Sequence, residues 1–329
     1  MDPALVKALA QVALPPLVLG AIVALAAWWR SGRVSAPSGD GTGANTATLA
    51  RGAARAHYWA IPVFGVVAYL VLHPIALARV PWPMTSAQDR PIVAALVALV
   101  LAALATRVRF PPLVRWIVRA IATGGVGALI TWTWLSTRWS PLESATTLGG
   151  WLAATLLTWW ALETLLHARP DGTKTTSTPH SPAQERARAM GSALVASAVA
   201  GAAAIALTIG YNTLSIGQLA GILATYMLGV AFAAALRPRI SLAFGTAHVV
   251  TLITQALLLA GIVTTSTPWE RAYPWLIALV AVAGLGARLV VDRRAMPAWA
   301  KGGIVVAAAA LVVAAAGGLA VANMPVSDY

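Results

Sequence analysis

Residues 92–105 read IVAALVALVLAALA, an unbroken apolar run bounded by Pro91 and by the basic pair Arg107 and Arg109. A buried strand spans four to eight residues, so a run of this length with no alternation is a helix with no polar face. Such a helix is buried in a large core or lies in lipid. The rest of the chain decides between these, because comparable runs recur along its whole length. They fall at about 10–29, 58–78, 91–107, 116–136, 147–167, 189–211, 216–236, 243–265, 273–291 and 301–323. Each approaches the roughly 20 residues that cross a bilayer's hydrocarbon core as a helix. A transmembrane barrel would show alternating segments of about ten residues instead.

Composition agrees. The 329 residues are 59% hydrophobic and 10% charged, with no cysteine and a mean hydropathy of +0.76. Soluble domains carry about 25% charged residues, so an ordinary water-soluble globule is excluded. Disorder, a disulfide-built module and a cysteine-ligated metal are excluded too. The expected fold class is an all-α integral membrane protein with about ten transmembrane helices, built as one polytopic domain over residues 1–329. Its expected place is multi-pass, in a bacterial-type cytoplasmic (inner) membrane.

The net charge of +13 is distributed unevenly. Eighteen of the 23 Lys and Arg flank the connections after spans one, three, five, seven and nine. The other side holds only Lys7, Arg79, Arg90, Arg138 and Arg271. The positive-inside rule places the crowded side in the cytoplasm and both termini outside. Topology therefore accounts for the basic charge, and no nucleic-acid partner is needed. The partners expected are the lipid bilayer and either other membrane proteins or further copies of the chain.

Two cytoplasmic connections are long and polar. Residues 31–57 contain SAPSGDGTGANTAT and residues 168–188 contain RPDGTKTTSTPHSPAQER; both read as flexible loops. The outer connections are short and hold tryptophans, with Trp82, Trp139, Trp269 and Trp275 at belt positions. Each also holds an acid and an arginine: Asp89 with Arg90, Arg138 with Glu143, Glu270 with Arg271. Sliding 90–116 onto 273–299 aligns Pro91 with Pro274 and Trp116 with Trp299, a weak sign of parallel repetition.

Polar residues at membrane depth are few, and they are the candidate site. Glu163 in LLTWWALETLLH is the one acid well inside a span, and His167 follows it by one helical turn. Arg119 and Arg288 lie near the same inner level and are the expected ion-pair partners of Glu163. His248, Thr251 and Gln255 share one stripe of span eight, which must face protein or a cavity rather than lipid. Tyr211, Asn212 and Gln218 form an uncharged polar cluster at the outer mouth. Gly124 and Gly125 sit mid-span in IATGGVGALI, where they either break the helix or permit close packing.

The chain has no GxxxxGK[ST], no HExxH and no GxSxG, and its ten acids lie nearly all in connections. No cofactor, metal or catalytic constellation is expected. Two functions of different kind stay open. One is a secondary transporter or permease with Glu163 or His248 as its proton-coupled group. The other is a non-catalytic subunit or scaffold of a larger membrane complex.

Overall fold

Thr246–Ile262 sets the architecture, because every one of its residues is buried. The sequence gives this helix no charged residue, so it has no face to offer water. The computed structural model describes residues 3–34, 57–77, 84, 86–107, 110–167, 182–211, 213–237, 240–243, 245–264, 271–294 and 296–322. Among them there is no strand, and a helix occupies each of the ten apolar segments. These are α1 (Pro3–Val34), α2 (Ala60–Ala76), α3 (Pro91–Arg107), α4 (Pro112–Thr137), α5 (Pro141–His167), α6 (Pro182–Ile205), α7 (Leu214–Leu236), α8 (Thr246–Ile262), α9 (Tyr273–Asp292) and α10 (Ala298–Ala322).

Seven helices close a ring around α8. In order they are α2, α3, α4, α5, α9, α6 and α7, each packed on the next and on α8. Outside the ring, α1 lies along α7 and α2, and α10 lies along α6 and α9. Helices consecutive in the chain run antiparallel, whereas α5 and α9, and α4 and α8, run parallel side by side. The ends of α3 and α5 meet the starts of α4 and α8, while Glu143 at the start of α5 meets Arg271 just before α9. One end of the bundle thereby gathers the arginine-rich connections.

Six helices are long and apolar enough to cross a membrane: α1 over Ala13–Arg30, α4, α6 extended to Gly210, α7, α9 and α10. Three others, Ala60–Ala76, Pro91–Ala105 and Thr246–Ile262, are apolar but shorter. At 17 residues α8 is about 25 Å long, several ångströms under a typical hydrocarbon core. Gly245 leads into it with φ 87°, a left-handed conformation that favours glycine, and a Cβ there would collide with Ala102.

The structure departs from the sequence reading in four places. Residues 182–188 are not loop but the first turns of α6, since Pro182 suits the first helical position and AQERARA is rich in strong helix formers. Residues 31–34 likewise continue α1; the remainder of both loops, 35–56 and 168–181, lies outside the described residues. The pair α3 and α4 does not occupy a place equivalent to α9 and α10, because α4 packs on α8 whereas α10 lies outside the ring. Finally, α4 runs unbroken through Gly124 and Gly125. A Cβ at either would meet nothing, whereas one at Gly127 would strike the Trp151 ring, so Gly127 is the glycine that close packing requires.

Small residues set the tightest crossing, between α1 and α7. A Cβ added at Gly229 would overlap the Leu17 carbonyl oxygen, and one at Gly20 the Tyr226 carbonyl oxygen. Both obstacles are backbone and cannot swing aside. Gly229→Ala should therefore lower the thermal unfolding temperature in detergent by several degrees, with overpacking costing about 1–3 kcal/mol. Gly286→Ala, where the added carbon meets nothing within 4 Å, should leave it unchanged.

Candidate functional site

The start of α4, the last turns of α5 and the start of α8 converge at the arginine-rich end. Helical spacing puts Arg115 and Arg119 on one face of α4, and Trp159 and Glu163 on one face of α5. Where those faces meet, Arg119 grips Glu163 with both terminal nitrogens, at 2.5 Å and 2.7 Å. This two-pronged geometry is the strongest a guanidinium and a carboxylate can adopt. A second arginine, Arg115, stands 3.7 Å from the same carboxylate. The pairing expected of Glu163 and Arg119 is present. Arg288, the other expected partner, instead holds Asp292 at 2.8 Å, and Arg188 reaches Asp292 at 3.3 Å. Its geometry is local: Arg288 and Asp292 are one turn apart on α9, so the bond forms without any movement toward α5.

Arg119 is 2% exposed. Its guanidinium lies 4.9 Å from the ring centres of both Trp116 and Trp159, so cation–π contact supplements the carboxylate. His248 joins from the central helix. Its ring meets Trp159 edge-on at 4.7 Å, and its Nε2 is 3.4 Å from Nη2 of Arg119. A guanidinium only donates, so in this contact Nε2 is the acceptor. The Nε–H groups of Arg115 and Arg119 are buried without an acceptor. Two arginines thus face one carboxylate, leaving a surplus of charge and of donors.

A cavity of about 230 Å³ opens onto this group. Arg115, Arg119 and His248 supply its polar wall; Leu101, Leu104, Ala105, Phe110 and Val118 supply the rest. The sequence points to Glu163, Arg119 and His248, leaves Arg115 between a topology charge and, with Arg107 and Arg109, an anionic-lipid contact, and does not single out Trp159 or Phe110 as site residues. The signal available was the four-residue spacing of Arg115 and Arg119, which matches that of Trp159 and Glu163.

Gln255 belongs to the same stripe of α8, two turns deeper. Its amide donates to Thr158 Oγ1 at 3.1 Å and to the Pro274 carbonyl at 3.3 Å, and its own backbone carbonyl accepts from Trp151 Nε1 at 2.7 Å. Between the two levels, Thr251 Oγ and Thr123 Oγ are buried with no partner, as is Gln255 Oε1. Buried polar atoms of this kind are normally satisfied by something, and three of them lie on the faces that α4 and α8 turn toward the site. The side chain of His167 lies outside the described residues.

The opposite end of the bundle is held differently. Tyr211 is buried, meeting Tyr273 edge-on at 5.2 Å and resting over Gly261, so it packs the ends of α6, α8 and α9 together. Gln218 is half-buried on α7, and Asn212 lies outside the described residues. Arg90 donates to the carbonyls of Leu129 and Ile130 at 3.0 Å and 2.9 Å, tying α3 to α4. Ser140 and Glu143 cap the start of α5 reciprocally. The Ser140 backbone N–H and hydroxyl, with Arg271 at 3.7 Å, hold the Glu143 carboxyl below the usual carboxylate range.

Removing Arg119 alone strands a mostly buried carboxylate, whereas removing both partners leaves an apolar contact. Arg119→Met should lower the unfolding temperature in detergent, and the double variant Arg119→Met/Glu163→Leu should recover most of the loss. A coupling of about 1–3 kcal/mol is expected from the completed cycle; simple additivity would mean that the two side chains do not depend on each other. No protein-family model, curated protein or solved structure matches this chain.

Proposed function

We propose that the chain is a ten-crossing membrane protein with both termini outside, and that it works as a secondary transporter coupling an anion to a proton. The observation that carries this reading is the buried Arg119–Glu163 pair beside His248, at the wall of a cavity. The ion pair is a closed state in which the protein's own carboxylate occupies the arginine. A proton on Glu163 cancels its charge and leaves the buried Arg119 uncompensated, a condition that a low-dielectric site strongly disfavours. An incoming anion restores the balance. One proton and one anion therefore enter together, and the site's net charge is the same before and after. His248, beside Arg119 and Trp159, is the adjacent group able to relay that proton.

The orientation follows from the charge asymmetry, which puts the cavity on the cytoplasmic side. The surroundings of α8 favour a second reading, that of a structural subunit in a larger assembly. A helix buried at every residue inside a closed ring leaves no path through the middle, and a separate apolar groove of about 470 Å³ runs along α4 and α5 at Gly124, Gly149 and Trp151.

The test uses proteoliposomes with a trapped pH-sensitive dye and external alkanesulfonates, which stay ionised and do not cross as neutral acids. Wild type should acidify the lumen on addition of the anion. Glu163→Gln keeps an acceptor for Arg119 and should fold, yet give no acidification. Silence from both proteins, or an unchanged response in Glu163→Gln, would overturn the transporter reading and leave the subunit. Separately, alkaline phosphatase fused after Tyr329 should be active outside the cytoplasm; an inactive fusion, with a cytoplasmic reporter active at the same position, would reverse the orientation.

A further inference from the structure

The cavity at the arginine-rich end is chemically two-sided, and that restricts what can occupy it. One wall carries Arg115, Arg119 and His248; the other is hydrocarbon from Leu101, Leu104 and Phe110. We infer that its ligand is a singly charged oxyanion joined to an apolar chain, such as a medium-chain carboxylate, sulfonate or phosphodiester. The inference rests on the same site as the proposed transport and names its substrate class.

Three observations lead there. The first is charge. Arg115 and Arg119 bring two positive charges against the single negative charge of Glu163, so the group carries one positive charge in excess, which draws an anion to it. The second is the donors. Nε–H of both arginines is buried and without an acceptor, and an oxyanion offers several lone pairs where neutral groups offer few. A buried donor left unmatched costs about 1–3 kcal/mol, which an anion seated there would relieve.

The third is the rest of the lining. A site for a small hydrated anion would surround it with polar groups, whereas here the remaining walls are aliphatic and aromatic. A volume of about 230 Å³ holds the equivalent of seven or eight waters at ~30 Å³ each, far more than a lone carboxylate fills. The mouth continues the same chemistry outward. Leu104, in the cavity's lining on α3, is 37% exposed, so an apolar tail leaving the cavity stays against apolar surface. Arg115, 42% exposed, stands at the entrance, and the buried Arg119 stands inside. A headgroup entering first meets one guanidinium and then the other.

Two sources supply this chemistry: a soluble amphiphile, or an anionic phospholipid of the surrounding leaflet. The experiment uses the full chain in nanodiscs, with empty nanodiscs subtracted, and measures equilibrium binding of radiolabelled octanesulfonate. Saturable one-to-one binding is expected in phosphatidylcholine discs, with methanesulfonate and octanol each at least tenfold weaker as competitors. Arg115→Gln, which changes a half-exposed residue, should weaken binding about tenfold. Ala105→Trp fills the cavity without touching the charges and should abolish it.

Including phosphatidylglycerol in the disc separates the sources. Competition assigns the site to a leaflet lipid, and its absence to a soluble amphiphile; the inference stands in both. Equal competition by methanesulfonate would make this a plain anion site, and equal competition by octanol a plain apolar cavity. Binding that survives Ala105→Trp would place the ligand elsewhere. Each of these three results overturns the inference. Binding requires no transport, so its failure alongside intact proton movement would sink the substrate class alone. Binding without proton movement would sink transport alone.

Discussion

A helix with no exposed residue constrains everything around it. Because α8 is covered on every side, the seven helices of the ring must supply apolar contact around its full circumference, and they do so with Val, Leu, Ile and Ala. Covering also removes solvent as a partner for whatever polar group α8 carries. His248 and Gln255 must then find their partners on the ring, and α4, α5 and α9 provide them in Arg119, Thr158 and the Pro274 carbonyl. The polar contacts fix which helices can stand next to α8 and in what register. Apolar packing alone is far less selective, since Leu and Ala fit many neighbours.

This division of labour explains why charge is concentrated at one level. Burying a lone arginine in a helix bundle is unfavourable, yet Arg119 is enclosed by a carboxylate, an imidazole and two indole rings. Each of these comes from a residue within two turns of a helix end, where the long arginine side chain needs little depth to reach it. Farther into the bundle the polar groups are neutral: Thr123, Thr251, Thr158 and Gln255. Along this stripe the polar groups thus pass from charged to neutral, and charge returns at the opposite end, in Asp89, Arg90, Glu143 and Arg271.

Much of this was readable in residues alone, for a physical reason. Helix type and number of segments follow from continuous apolar runs, which are written locally and are found as helices. The side-by-side placement of Arg119 and Glu163 was also legible, because few charges lie at that depth and opposite signs must meet. Ring order was not. Which of ten similar helices stands in the centre depends on pairwise packing among Ala, Leu and Val, and these residues label no partner. Span six, almost wholly small, and span seven, opened by Gly217 and Gly221, read as a tightly packed pair at the centre; α6 and α7 do pack closely, but on the ring. The true centre, α8, is uncharged from Thr246 to Ile262, as α2 and α7 also are, and what it adds is the polar stripe of His248, Thr251 and Gln255. The role of Arg115 stays open in the sequence for a related cause. On a helix end, an arginine that orients the chain and one that serves a site look alike until the opposite wall is known.

The arginine excess therefore has two consequences that need not compete. Positive charge retained on one side sets the direction in which helices insert, and it does so through bulk electrostatics that ignore the details of position. The same charge raises the local concentration of anions over that end, an effect that falls with salt as screening shortens its range. Only at Arg115 and Arg119 does position matter, because there the surplus lies at a cavity wall rather than in a connection. In the proposed function, an anion drawn toward that end by many charges meets the half-exposed Arg115 and then the desolvated Arg119. Glu163 is the counterweight that makes such a site tolerable when empty: without it, two arginines would face an apolar cavity alone, and the fold at this end would have to open to water.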